Sequence, residues 1–71
     1  MPGDLRKLLG EAIRKQRRKL GFTQEQLAEK SDLHWTYISG IERGQKNVSI
    51  VSLYHIAAAL KLRVRDLVKD L

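Results

Sequence analysis

A chain of 71 residues without cysteine has room for one small core and no disulfide or thiolate metal site to reinforce it. Its net charge of +6 points to a polyanion partner. No apolar run reaches the ~20 residues that span a bilayer, and the basic N-terminal region lacks the apolar centre of a signal peptide. The expectation is a soluble, cytoplasmic domain of marginal stability; a domain this small buries only about 60% of its unfolded surface and gains from self-association.

In chain order, Asp4 can cap a first helix beginning at Leu5. Leu5, Leu8, Leu9, Ala12, Ile13 and Leu20 fall on one arc of a 3.6-residue wheel. Gln16 interrupts that arc, so either its amide finds a buried partner or that part of the helix is wet. Arg14, Lys15, Arg17, Arg18 and Lys19 form the densest basic cluster, which reads as a phosphate-attracting face or as an ordinary solvated one. Gly21 supplies a left-handed stop.

Thr23 and Gln26 carry the spacing of a capping box for a second helix, Gln24 to about Lys30. A helix this short needs tertiary contacts, through Leu27 and Ala28. Ser31-Asp32-Leu33 is a tight turn with Asp32 the candidate left-handed residue. A third helix runs from His34 or Trp35 to about Arg43, with Ile38 and Ile41 inward and Gly44 as its stop. Residues 24–43 therefore read as a helix-turn-helix with Gln24, His34, Trp35, Thr36, Tyr37, Ser39 and Arg43 looking outward. Ser49 caps a fourth helix, Ile50 to Leu60, whose wheel is apolar over more than half its circumference, as expected of the most buried element. Val64, Leu67, Val68 and Leu71 stripe a fifth, Val64 to Leu71. The prediction is a single all-α domain of five helices.

At this point the residues carry a likeness. The run Gly21-Phe22-Thr23-Gln24-Glu25-Gln26-Leu27-Ala28, with Tyr37-Ile38-Ser39 and Ile41-Glu42-Arg43-Gly44, resembles the lambdoid repressor and Cro-like helix-turn-helix family. Within it, His34 to Gly44 is most similar to the controller proteins of restriction-modification systems. The resemblance implies a compact five-helix fold and a homodimer whose third helix enters the major groove at two half-sites about one turn, ~34 Å, apart. It implies DNA contacts from Thr23, Gln24, His34, Trp35, Thr36, Tyr37, Ser39, Arg43, Lys46 and Asn47, and an orienting ion pair between Arg17 and Glu42. The sequence departs from the pattern at Asp32 and Lys61, where glycine is usual, at Gln16, at Arg63 in place of a Ser cap, and at Trp35, where relatives often have Arg or Gln.

Within that set, Gln24 suits a phosphate and also steadies the third helix. Thr36 and Ser39 offer hydroxyls to base edges. Arg43 and Lys46 suit phosphates, while Asn47 can instead complete its loop. Trp35 can meet thymine methyls, lie along the backbone or pack against its neighbours. Tyr37 reads as a phosphate donor or a partly packed wall. Val64, Leu67, Val68 and Leu71 either close the monomer core or face a twin subunit. His34 and His55 have no second ligand at metal spacing and no Ser-His-acid arrangement, so no enzyme, metal or cofactor is expected. The expected function is a transcriptional regulator acting on double-stranded DNA, with control of a restriction-modification operon implied by the resemblance alone. RNA polymerase is a further candidate partner; no membrane or small-molecule ligand is expected. The alternative is an antitoxin-type protein-interaction module that also binds DNA.

Overall fold

Five helices follow one another along the chain: α1 (Pro2–Lys19), α2 (Gln24–Ser31), α3 (Trp35–Glu42), α4 (Ile50–Ala59) and α5 (Val64–Val68). The computed structural model describes residues 2–71 and, from Leu5 onward, their side chains. Among the described residues there is no strand. No helix among them is long and apolar enough to cross a membrane.

The helix ends explain the outline. Thr23 and Gln26 form the expected capping box: the Gln26 N–H donates to Thr23 Oγ1 at 3.0 Å and the Thr23 N–H to Gln26 Oε1 at 2.8 Å. Ser49 Oγ accepts the Ser52 N–H at the start of α4. At the other ends one closure recurs four times. Phe22 donates to the Arg17 carbonyl, Leu33 to Ala28, Gln45 to Gly40 and Leu62 to Ala57, each across a left-handed residue. Those residues are Gly21, Asp32, Gly44 and Lys61, with φ of 74°, 58°, 75° and 61°. Asp32 thus takes the expected conformation, and Lys61 takes the same one, each at a cost of roughly 1–2 kcal/mol for a residue bearing a Cβ.

α1 begins at Pro2 rather than Leu5. Proline suits a first turn, where its fixed φ is already helical and its missing N–H has no partner to lose. Asp4 therefore lies inside the helix rather than capping it, and its side chain is outside the described residues. α5 stops at Val68, short of the expected Leu71. Its first turn is closed from one side only: Asp66 accepts the Arg63 N–H at 2.9 Å, while Arg63 has no acceptor to return.

The core is built around Ile13, Leu27, Ile38, Ile41, Ile56 and Leu67, all at most 2% exposed. α1 packs on α3 and α5, α2 on α3 and α4, and α4 on α5. Two expectations about burial are corrected here. α4 is not the most buried element: Leu53, Ile56 and Ala57 face inward, but Ile50, Val51 and Tyr54 are 69%, 63% and 63% exposed. Only α2 and α5 cover α4 closely, so a helix apolar over more than half its circumference keeps part of its apolar surface bare. On α1, Ile13 is fully buried and Leu9 packs on the core, whereas Leu5 and Leu8, with Leu20 just past the helix end, remain exposed. Gln16 is half-buried and lines an open cleft of about 360 Å³ between α1 and α5, which is the wetter of its two expected settings.

Candidate nucleic-acid interface

Two devices fix how α3 is presented. The first is a close approach of backbones: a Cβ at Gly10 would lie 2.4 Å from the Ile41 carbonyl oxygen and 2.7 Å from that of Glu42. Only glycine lets α1 cross α3 so near. The second is a buried polar cluster at the last residue of α3. Arg17 Nε donates to Glu42 Oε2 at 2.7 Å and Arg17 Nη2 to Oε1 at 3.0 Å, a fork-on-fork pair. Gln24 Nε2 donates to the same Oε1 at 3.0 Å, and Arg14 Nε approaches it at 3.5 Å. Arg17 Nη1 donates to the Phe22 carbonyl at 2.8 Å.

The Glu42 side chain is wholly buried and that of Arg17 nearly so. Burial alone would raise the Glu42 carboxyl, but hydrogen bonds from Arg17 and Gln24, the Arg17 charge and the Arg14 contact outweigh it, holding the group below the ordinary carboxylate range. The cluster joins α1, α2 and α3 at one point, so the angle between the two helices of the motif is set from inside.

The outer side of α3 is left open. His34 caps the helix, its Nδ1 accepting the Thr36 N–H at 3.2 Å and lying 2.7 Å from Thr36 Oγ1. The Thr36 hydroxyl is exposed and keeps lone pairs able to accept from a donor outside the protein. Trp35, the first helical residue, is 47% exposed. Thr36, Arg43, Lys46, Asn47 and Thr23 are exposed, while Tyr37 is half-buried against the core.

Ser39 departs from the outward placing expected of it. It is 7% exposed and its Oγ accepts a hydrogen bond from Arg43 Nη1 at 2.9 Å. It lies one turn from Thr36 and one turn from Arg43 on the same face of α3, and the Arg43 side chain reaches back onto it. Gln24, expected at a phosphate, gives one amide N–H to Glu42 and keeps a second.

The helix-turn-helix family model matches residues 13–67. The chain belongs to the helix-turn-helix family. Among its curated relatives, Control protein C.BamHI of Bacillus amyloliquefaciens is 44% identical over 68 residues, spanning 94% of this chain and 84% of that one. Control protein C.SmaI of Serratia marcescens is 42% identical over 64 residues, spanning 90% and 76%. Among solved structures, the restriction-modification controller protein C.AhdI from Aeromonas hydrophila superposes with a TM-score of 0.87 at 42% identity, over 90% of this chain and 96% of that one.

In this helix-turn-helix protein the turn of the motif is Asp32-Leu33-His34, one residue later than the expected Ser31-Asp32-Leu33, because Ser31 still belongs to α2. The structure brings His34, Trp35 and Thr36 together at one end of α3 and Arg43, Lys46 and Asn47 at the other. Two residues absent from the expected set belong to the arrangement. Gly10 was legible only as an isolated glycine inside a helical pattern, a signal that hints at close packing without naming the partner. Gln45 lies beside Arg43, its Oε1 accepting from Arg43 Nε at 3.2 Å. The C-terminal residues do not form one free surface: Leu67 is 2% exposed and fills the core of its own helix-turn-helix domain, Val64 and Val68 are partly packed on that core, and Leu71 stays 44% exposed. Among the described residues, no group of three or more His, Cys, Asp and Glu side chains is arranged to hold a metal ion.

Proposed function

We propose that the protein is a sequence-specific transcriptional regulator that binds double-stranded DNA as a homodimer, one α3 in each of two successive major grooves. The observation that carries this reading is the division of α3 between its two sides. Its inner side is pinned to α1 and α2 through Glu42, and its outer side presents His34, Trp35 and Thr36, with the cations Arg43 and Lys46 beyond them. An element held rigidly by its back and exposed along its front suits reading a fixed polymer surface. In such docking the first turn of the helix meets base edges and basic groups at its end meet phosphates. A net charge of +6 adds long-range attraction to the duplex.

Length supports the pair. The domain measures 30 Å along its longest axis and has one such helix, whereas half-sites facing the same side of the duplex are ~34 Å apart. Two copies of a +6 molecule repel unless they meet on an uncharged face. α4 contains no Lys, Arg, Asp or Glu, and its exposed Ile50, Val51 and Tyr54 make an apolar surface. A second copy of the chain is the occupant we assign to that face, joined by an isologous contact. This moves the centre of the interface from the α5 stripe to α4. The named relatives add a narrower reading: the chain is a controller of a restriction-modification operon, set by its own concentration through dimerisation. RNA polymerase is a candidate partner at the promoter.

Selection from a random duplex library, followed by gel shift at two salt concentrations, tests the function. The expected result is an enriched, two-fold symmetric motif whose binding weakens steeply with salt. A pool with no enriched sequence, or shifts erased equally by any competitor duplex, sinks the specific-regulator reading.

A further inference from the structure

The exposed end of α3 carries more order than a solvated basic patch requires. Arg43 is held at two points before any ligand arrives: Nη1 on Ser39 Oγ at 2.9 Å and Nε on Gln45 Oε1 at 3.2 Å. Gln45 is itself fixed, since its backbone N–H closes the helix on the Gly40 carbonyl at 2.9 Å. The stem of Lys46 crosses the same glycine. A Cβ at position 40 would lie 2.7 Å from Lys46 Cγ and 3.1 Å from its Cε, so only a hydrogen there lets the stem lie flat.

We propose that Ser39, Gly40 and Gln45 are positioning residues that preset Arg43 and Lys46 as one phosphate seat, Ser39 acting through Arg43 and not on a base. The inference rests on the DNA-binding reading and deepens it. With Nε and one Nη1 proton engaged, Arg43 keeps the two Nη2 protons and a second Nη1 proton, an edge suited to two oxygens of one phosphate. The seat lies past the last turn of α3, away from the first turn where base edges are read. Long basic side chains lose rotamer freedom when they bind. Here the hydrogen bonds and the bare glycine remove much of that freedom in the free protein, so less is lost on the duplex.

The test measures binding to the selected duplex and to an unrelated duplex across a salt series. Ser39→Ala and Gln45→Ala should each weaken both duplexes alike, by about 3- to 10-fold, the worth of one ordinary hydrogen bond. The preferred sequence should not change. In an Arg43→Ala background, which itself flattens the log–log salt slope by about 0.9, neither should have further effect. Gly40→Ala should weaken both duplexes alike and be silent once Lys46 is Ala. Gln45 is exposed, so its variant keeps the test open if a change at buried Ser39 disturbs folding. A shift in the preferred base on Ser39→Ala overturns the proposal, as does full loss from Ser39→Ala and Gln45→Ala when Arg43 is already gone. If the wild-type protein itself shows no sequence preference, the DNA-binding reading fails first, and that outcome is separable from these.

Discussion

Glu42→Ala is the perturbation whose size the structure sets most tightly. The substitution removes a carboxylate that accepts from Arg17 at 2.7 and 3.0 Å and from Gln24 at 3.0 Å. The Arg17 guanidinium, in a residue 8% exposed, then keeps only its bond to the Phe22 carbonyl. Leaving one half of a buried pair unmatched costs about 3–5 kcal/mol. The whole domain, at 71 residues, is expected to hold only about 4–11 kcal/mol. Urea unfolding followed by far-ultraviolet circular dichroism should therefore show the variant largely or wholly destabilised. Replacing both partners, Arg17→Met with Glu42→Leu, should recover much of the loss, because no charge is then stranded. If Glu42→Ala costs less than about 1 kcal/mol, the cluster behaves as a screened surface pair and the reasoning fails.

The same carboxyl fixes a pH dependence. Its folded pKa lies below the ordinary carboxylate range, so its stabilisation is fully present above that range and is lost as pH falls through the lower folded pKa. Wild-type acid unfolding should include this loss and Glu42→Gln should lack it; parallel pH profiles of stability would contradict the assignment. Gly10→Ala, forcing a Cβ to within 2.4 Å of the Ile41 carbonyl oxygen, should destabilise by about 1–3 kcal/mol, against the gain of roughly 1 kcal/mol that Gly→Ala gives in an unhindered helix; a thermal melt decides the sign. Lys61→Gly should instead stabilise, by up to about 1 kcal/mol, because φ at this position is 61°, and an unchanged melting temperature would argue that the flanking bonds absorb the strain. Val51→Asp, placing charge on the bare face of α4, should shift sedimentation from dimer to monomer and leave the helical signal intact; an unchanged dimer would put the interface elsewhere.

Local chemistry made most of the outline legible. The Thr23–Gln26 box, the Ser49 cap and the stops at Gly21 and Gly44 depend on residues within a few positions of one another, and the structure has each of them. Asp32 was readable as a left-handed turn residue because aspartate tolerates that conformation. What the sequence could not convey was which side of a helix its neighbours would cover. The wheel of α4 is apolar over more than half its circumference, and only the tertiary arrangement reveals that Ile50, Val51 and Tyr54 are left bare. Leu67 has the same pattern value as Leu71, yet one fills the core and the other does not. At the site, Arg17 and Glu42 were legible through family likeness. Burial of Ser39 was not, because its spacing groups it with exposed Thr36 and Arg43 and nothing local says that the Arg43 side chain reaches back onto it, and Gly10 matters only through the carbonyls of Ile41 and Glu42 from a distant part of the chain.

Methylation interference on the selected duplex tests the central claim most directly. Dimethyl sulfate marks guanine N7 in the major groove and adenine N3 in the minor groove. Two blocks of interfering guanines, related by a two-fold axis and about one helical turn apart, are what paired α3 helices in successive major grooves predict. Interference confined to adenines, or to a single block without symmetry, would contradict it.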